Sequence, residues 1–518
     1  MDDDPGGAAA APAAGSRRRH NTAAADGERR VARTADPLGR WARHERPDPR
    51  RDVSGRWWMG LPGLELALAA AAFAVLCIAV LAVAPQLPEP DDYAYRASIV
   101  AVTDGHLLTL STGQVRALAA QLTRSAGPSR RVLTGPLGGS IEQWVRLPGG
   151  RWISEKNPGY PFLAAPFQVL GVIRLAPLFY AALGCLGLFA GARRWLGQFG
   201  GTAAVALFCC SGAAFLFAWR DYMPTFTEAA LIAAGSGAVL WAVLAEAASA
   251  RRRTAIGLLG FLAIEAAVFS RYTNIVVLGC ALGAVLAARW LRAVSVPKGA
   301  LWWWLGSAVL VGAGVAAFDE AVYGGPFRSG YRPGEITFSI VAVPANLRLM
   351  PGHLILAMPM LVLGLAAVVW MTVRWVRLRQ AEDDDGCGAR RDFAVGMALT
   401  ASWFGVWGLY AAYAWTTHPG LSTLQTTRFY VPATGAIALL GAWLLVRARR
   451  TRSAASRLPL TTTATAAVII VLAGLGLWSF HDMLGAQHPG SPAPPPCNVG
   501  QPHCPARPPS PGQSPGPR

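Results

Sequence analysis

Apolar residues along the chain arrive in blocks of roughly 18 to 25, separated by short stretches that carry arginine, and a helix of that length crosses a hydrocarbon core about 30 Å thick. The blocks predict about eleven helices, at roughly 63–84, 173–192, 200–218, 226–248, 254–270, 273–290, 301–322, 352–373, 393–415, 429–446 and 460–479. The expected class is an all-α polytopic membrane protein with one long gap, 85–160, after the first block. Basic residues alternate between gaps. The N-terminal tail, Arg193 with Arg194, Arg251 to Arg253, Arg289 with Arg292, Arg374 with Arg377 and Arg379, and Arg447 with Arg449 and Arg450 fall on one side. The positive-inside rule makes that side cytoplasmic, which puts the long gap outside. An odd number of spans puts the C-terminus outside too. The expected location is the plasma membrane.

Composition agrees with this reading. Of the 518 residues, 53% are hydrophobic and 15% charged, which leaves too little polar surface for three or four soluble domains. The net charge of +18 is no nucleic-acid footprint, because the arginines sit at span ends, and no nucleic-acid partner is expected. Only Lys156 and Lys298 are lysines among 47 basic residues, so arginine is the default cation here and Lys156 stands out. Residues 1–60 are mostly Ala, Gly, Arg, Asp and Pro, too polar to fold alone, and read as a disordered cytoplasmic tail ahead of a transmembrane domain over 61–484. Residues 485–518 are rich in Pro, Ser and Gly and read as an extended outer tail. Five of the eight cysteines lie inside apolar blocks, where a thiol is usually a small hydrophobe. Cys497 and Cys504, in the outer tail, are either free or bridged. Zinc and P-loop motifs are missing.

Candidate chemistry gathers at the outer ends of the blocks. The long gap opens with PEPDDYAYR, where Asp91 and Asp92 can take a proton from a hydroxyl or hold a divalent cation. Taken as an extended segment, the two neighbours point opposite ways, one to substrate and one to structure. Such a pair alone more often marks a solvated acidic loop. The gap closes with SEKNPGYPFLAAPF, whose prolines at 158, 161 and 166 suit a bend or a short broken helix beside Glu155, Lys156 and Tyr160. Lys156 is a compact cation for a phosphate, although snorkelling to lipid is the commoner role for a lone interfacial lysine.

Other outer ends carry Arg220 and Asp221, which can form a loop ion pair, with Glu228 just beyond. SRYTN holds Arg271, YGGPFRSGYRPGE holds Tyr323 and Tyr331, and TTRFYVP holds Arg428. Charges at this depth are costly and point to a cavity, a partner or a pathway. Glu265 and Arg271 are six residues apart, too far for a same-face pair, so each is expected to find its partner on another helix.

In this order, the first block with Asp91 and Asp92, the re-entry Lys156-Asn157-Pro158-Gly159-Tyr160-Pro161, SRYTN, YGGPFRSGY and RFYVP, the chain resembles the GT-C superfamily of membrane glycosyltransferases over about residues 60–480. Relatives with a Lys-Pro-Pro or His-Pro-Pro motif differ at Asn157. The resemblance implies a sugar moved from a polyprenyl-phosphate donor to a glycan, lipid or protein acceptor at the outer membrane face. It would make Asp91 or Asp92 the general base, tuned upward by partial desolvation, and Lys156, Arg271 and Arg428 the ligands of the leaving phosphate. Glu155, Tyr160, Asp221, Tyr323 and Tyr331 would line the substrate. A Mg²⁺ or Mn²⁺ ion on Asp91 and Asp92, completed by Glu155 or Asp221, is an open alternative to basic side chains alone. The competing class is a multi-pass transporter or lipid flippase, which the buried-depth Glu228 and Glu265 favour and the lack of internal repeats disfavours.

Overall fold

In the computed structural model the described residues are 63–485 apart from 86–89, 107–108, 127–140, 142, 148, 198, 332–335, 381–385, 418–420, 422 and 454–459. The two tails expected over 1–60 and 485–518 lie outside the described residues apart from Gly485, as do Cys497 and Cys504. Helix α1 (Gly63–Ala82) leads into a small mixed layer. That layer contains α2 (Pro90–Thr103), α3 (Thr112–Ala126) and the hairpin of β1 (Trp144–Arg146) with β2 (Trp152–Ser154), followed by α4 (Gly159–Val169). The bundle continues with α5 (Ala176–Leu196), α6 (Gly200–Cys209), α7 (Gly212–Trp219), α8 (Thr225–Leu244), α9 (Ala250–Ser270), α10 (Ile275–Trp290) and α11 (Ala300–Tyr323). It closes with α12 (Val343–Ala357), α13 (Leu361–Gln380), α14 (Gly386–Ala411), α15 (Thr423–Thr427), α16 (Thr434–Ser453) and α17 (Leu460–Gly485).

This is a helical multi-pass membrane protein, but the span count differs from the expected eleven. Among the described residues nine helices are long and apolar enough to cross, or ten if α6 and α7 are one span bent by 60°. The bend falls at Ser211, whose extended backbone and Oγ, accepting from Ala214 N at 3.1 Å, start α7 afresh. The block expected at 352–373 straddles two helices. Pro359 bars the α conformation at Met358, which takes φ −137° and ψ 69°, so α12 stops at Ala357 and α13 begins at Leu361. In the block expected at 429–446, the apolar run over 431–447 is too short to count.

Glycine holds the centre together. A Cβ on Gly187 of α5 would sit 2.5 Å from the Ala234 carbonyl oxygen of α8, and one on Gly237 of α8 would sit 2.1 Å from the Gly187 oxygen. Gly235 of α8 meets Gly260 of α9 in the same way, at 2.4 Å. In lipid, helices gain little from hiding apolar surface, so backbone approach at small residues is what binds them. Gly187→Leu is expected to destabilise the fold by about 1–3 kcal/mol, the usual cost of overpacking, read as a lower melting temperature in detergent.

The arginine-bearing end is tied by ion pairs. Glu65 of α1 is buried and pairs with Arg193 of α5. Buried Asp392 of α14 accepts from Trp195 Nε1 at 3.0 Å and pairs with Arg447 of α16. The mixed layer has its own core, in which Val100, Leu110, Leu122, Trp144 and Trp152 pack together. β1 and β2 are antiparallel with Val145 opposite Ile153, and Leu110 bonds reciprocally to Trp152 at 2.8 and 2.7 Å. That hairpin delivers Ser154 and Glu155 to one edge of the bundle.

Candidate active site

Pro90 starts α2, a good first helical residue because its missing N–H has no partner to lose, so Asp91 and Asp92 occupy the first turn of a helix and not an extended segment. Successive helical residues point about 100° apart, and the two carboxylates separate accordingly. Asp92 turns inward. Its two oxygens accept from Arg220 Nη2 at 2.6 Å and Nε at 3.2 Å, and both side chains are 0% exposed. Arg220 therefore pairs with Asp92 and not with Asp221, so the expected loop ion pair does not form.

Asp91 turns the other way, into a cluster gathered from four segments. Its Oδ1 accepts from Gln143 Nε2 at 2.7 Å and lies 3.2 Å from Lys156 Nζ, and its Oδ2 accepts from Arg428 Nη1 at 2.8 Å. Lys156 also lies 3.2 Å from Glu155 Oε1, donates to Tyr331 OH at 3.1 Å and sits 4.9 Å from the Tyr331 ring centre. Among the described residues, two carboxylates and two cations thus meet here. Gln143 was invisible in the sequence; it holds a left-handed φ of 62°, strain that commonly marks functional sites.

Close backbone approaches hold these parts in place. Gly330 lies so near Glu155 that a Cβ would come within 2.4 Å of its Cα, and Tyr323 OH donates to the Ser154 carbonyl at 3.2 Å. A Cβ on Gly159, at the start of α4, would come within 2.5 Å of the Phe269 and Ser270 backbone. The prolines do not break this stretch: Pro158 caps α4, Pro161 lies in its first turn where no N–H is needed, and Pro166 is absorbed inside it.

Beside the cluster stands a second pair. Arg271 Nε lies 3.3 Å from Glu228 Oε2 of α8, and Asn274 Nδ2 donates to the same oxygen at 3.1 Å. Arg271 lies 5.7 Å from the Phe429 ring centre and Arg428 lies 4.7 Å from it, so one aromatic ring links the two cations. Glu265 instead takes a hydrogen bond from Ser307 of α11 at 2.8 Å, so Arg271 and Glu265 each have partners on another helix, as their spacing suggested.

Tyr160 and Asp221 belong to a different neighbourhood. Tyr160 is fully buried with Tyr95 and Met223 and donates to the Asp221 carbonyl, a brace between α4 and the turn after α7. Burial pushes the Asp221 carboxyl up to about 6, against the pull of Arg174 and Arg96. A buried acid with a raised value binds its proton more tightly folded than unfolded, so its contribution is favourable below about pH 4 and is lost as pH rises toward 6. Asp221→Asn is expected to raise stability at pH 7.5 by about 3 kcal/mol and to flatten the pH dependence of melting between pH 4 and 6.

For Asp91 the balance runs the other way. Burial opposes its charge, but Lys156, Arg428 and the Gln143 hydrogen bond outweigh burial and hold the carboxyl well below the usual carboxylate range. The upward tuning expected from desolvation is thus reversed by two adjacent cations. Burial likewise opposes charge on Lys156, and Asp91, Tyr331 and Glu155 overcome it and raise its value. These contacts also bear on Mg²⁺ or Mn²⁺. All four oxygens of Asp91 and Asp92 already face cationic or amide donors, and among the described residues no three His, Cys, Asp or Glu side chains form a ligand group. So arranged, the donor set does not fit a divalent ion.

No family model and no curated protein sequence matches the chain. Solved structures similar to it include the apo oligosaccharyltransferase of Archaeoglobus fulgidus, 13% identical over 82% of this chain, with a TM-score of 0.43. Apo ArnT from Cupriavidus metallidurans is 14% identical over 82% of this chain and 76% of its own, with a TM-score of 0.43. ArnT bound to undecaprenyl phosphate gives 13%, the same coverage and 0.42. The chain spans 56% of the length of the oligosaccharyltransferase.

Proposed function

We propose that the protein is a membrane glycosyltransferase that moves a sugar from a polyprenyl-phosphate donor to a glycan, lipid or protein acceptor at the outer face. The observation that carries the reading is the junction at Asp91, where a partly accessible carboxylate, 14% exposed, is held by two cations that a phosphate would also bind. The motif order that resembles the GT-C superfamily supplies the donor class. In this reading the arginine-bearing end is cytoplasmic, the N-terminus lies inside and the C-terminus outside.

Among the described residues the cluster is neutral, so in this reading a phosphate takes Lys156 and Arg428 from Asp91. This exchange serves two steps. The cations turn to the phosphate oxygens, where charge grows as the sugar–phosphate bond breaks. Asp91, relieved of them, rises toward a range where it can accept the acceptor hydroxyl's proton. The acceptor oxygen then bonds to the anomeric carbon, polyprenyl phosphate leaves with the bonding pair, and the proton stays on Asp91. Arg271, paired with Glu228 and 5.7 Å from the Phe429 ring centre, is a third cation near the cluster. Asp92, locked to Arg220, positions Asp91 and takes no proton in this scheme.

The test is transfer of label from radiolabelled polyprenyl-phosphate sugars by the full chain reconstituted in liposomes with candidate acceptors. Label in a glycosidic product is expected. Label accumulating inside sealed vesicles without any such product would overturn the enzyme and favour the transporter.

A further inference from the structure

At the arginine-bearing end, a cavity of about 630 Å³ opens between the end of α10, the turn after it, the start of α14 and Glu246. The turn is built with care. Arg292 takes a left-handed φ of 53°, its N–H donates to the Arg289 carbonyl at 3.0 Å, and Ala293 N donates to the Ala288 carbonyl at 2.8 Å. A bulky residue in that conformation costs energy, a feature that collects at binding sites. Arg289 Nη1 then donates to the Val296 carbonyl at 3.3 Å and Arg253 of α9 donates to the Ser295 carbonyl, so the turn is pinned from both sides.

Among the described residues, Arg289, Arg292 and Arg391 line the cavity with Glu246 as the carboxylate. Among the described residues neither Arg292 nor Arg391 has an ion pair, and Arg391 Nε is buried with no hydrogen-bond partner. The adjacent Asp392 cannot serve, because Trp195 and Arg447 engage it. Guanidinium groups present forks of N–H donors whose geometry fits a multivalent oxyanion. Next to the cavity, Trp290 is 83% exposed and Leu291 is 48% exposed, apolar surface contiguous with the outward side of α10.

We infer that this cavity is an anion site for the phosphate of an anionic membrane lipid, with its acyl chains lying along α10 beside Trp290. It is assembled from segments other than those around Asp91 and stands whether or not the protein transfers sugars. Basic pockets between helices at a membrane surface are suited to such headgroups.

The test uses the purified full chain, delipidated and returned to phosphatidylglycerol, phosphatidylcholine or glycerol 3-phosphate, with bound species counted by native mass spectrometry. Phosphatidylglycerol is expected to be retained at least about tenfold better by wild type than by the double variant Arg292→Gln, Arg391→Gln. Lys298→Gln, a nearby cation outside the lining, is expected to retain it as wild type does. Melting temperature and elution profile show whether the double variant is folded, and Arg391→Lys, which keeps the charge, is expected to recover part of the binding. Equal retention by wild type and a folded double variant overturns the site. Equal retention of phosphatidylcholine overturns the anion assignment, and glycerol 3-phosphate displacing the lipid at equal concentration overturns the role of the chains.

Discussion

Asp91→Asn is expected to lower transfer by about 10²–10⁴-fold while leaving the protein folded, the loss typical of removing a general base. The amide keeps the shape but only one acceptor oxygen, so of Gln143 on Oδ1 and Arg428 on Oδ2 one keeps its partner and the other faces an NH₂ group; Lys156 keeps Glu155, and the melting temperature is expected to fall less than for Asp92→Asn. Asp92→Asn has the opposite signature. It removes the carboxylate that the fully buried Arg220 pairs with, a change that costs about 3–5 kcal/mol, and is expected to lower yield and melting temperature first. Measuring label transfer and thermal unfolding on both variants separates the roles. Normal transfer by Asp91→Asn would remove Asp91 as the base.

The pH profile adds a finer check. In the free protein Asp91 is held well below the usual carboxylate range, and donor phosphate is expected to raise it by drawing off Lys156 and Arg428. The acid limb of kcat, which reports the complex, is therefore expected at higher pH than the acid limb of kcat/KM, which reports the free protein. Coincident limbs would count against the exchange of cations.

Lys156→Met and Arg428→Met are each expected to cost about 10²–10³-fold in transfer, in line with the loss of one preorganised charge at a leaving group. Both also remove a clamp from Asp91, so its carboxyl rises in the free protein and the acid limb of kcat/KM moves to higher pH. Binding of polyprenyl phosphate alone separates the two effects. Weaker binding by both variants supports contact with phosphate, whereas unchanged binding with a shifted acid limb would leave the two cations acting only through Asp91. The paired variant is expected to lose less than the product of the single losses, because both cations share one carboxylate.

The sequence made the membrane class and most helix positions legible, because a block of some twenty apolar residues has few other uses. It failed where proline and local bonding cut a block, at Ser211 and at Met358-Pro359-Met360, since hydropathy averages over such breaks. The site was legible only as a set of outer ends. Span alternation put Asp91, Lys156, Arg271 and Arg428 on one side, but the contact between Asp91 and Arg428 joins residues 337 apart, which no local pattern encodes. Gln143 carried no signal, because its role depends on a left-handed backbone next to a short hairpin. Tyr160 and Asp221 looked like lining residues from their position, yet packing turned them into a brace between α4 and the turn after α7.

The adjacency of the two aspartates has an evolutionary and practical consequence. Because they sit in one helical turn, inserting a single residue between them would rotate one carboxylate by about 100° and take it away from either Arg220 or the Lys156 and Arg428 pair. Two acids at any nearby spacing are therefore not equivalent to DD. Searches for chains that share this site, and efforts to graft it, should hold the contiguity and the preceding helix-starting proline fixed and let the surrounding loop length vary.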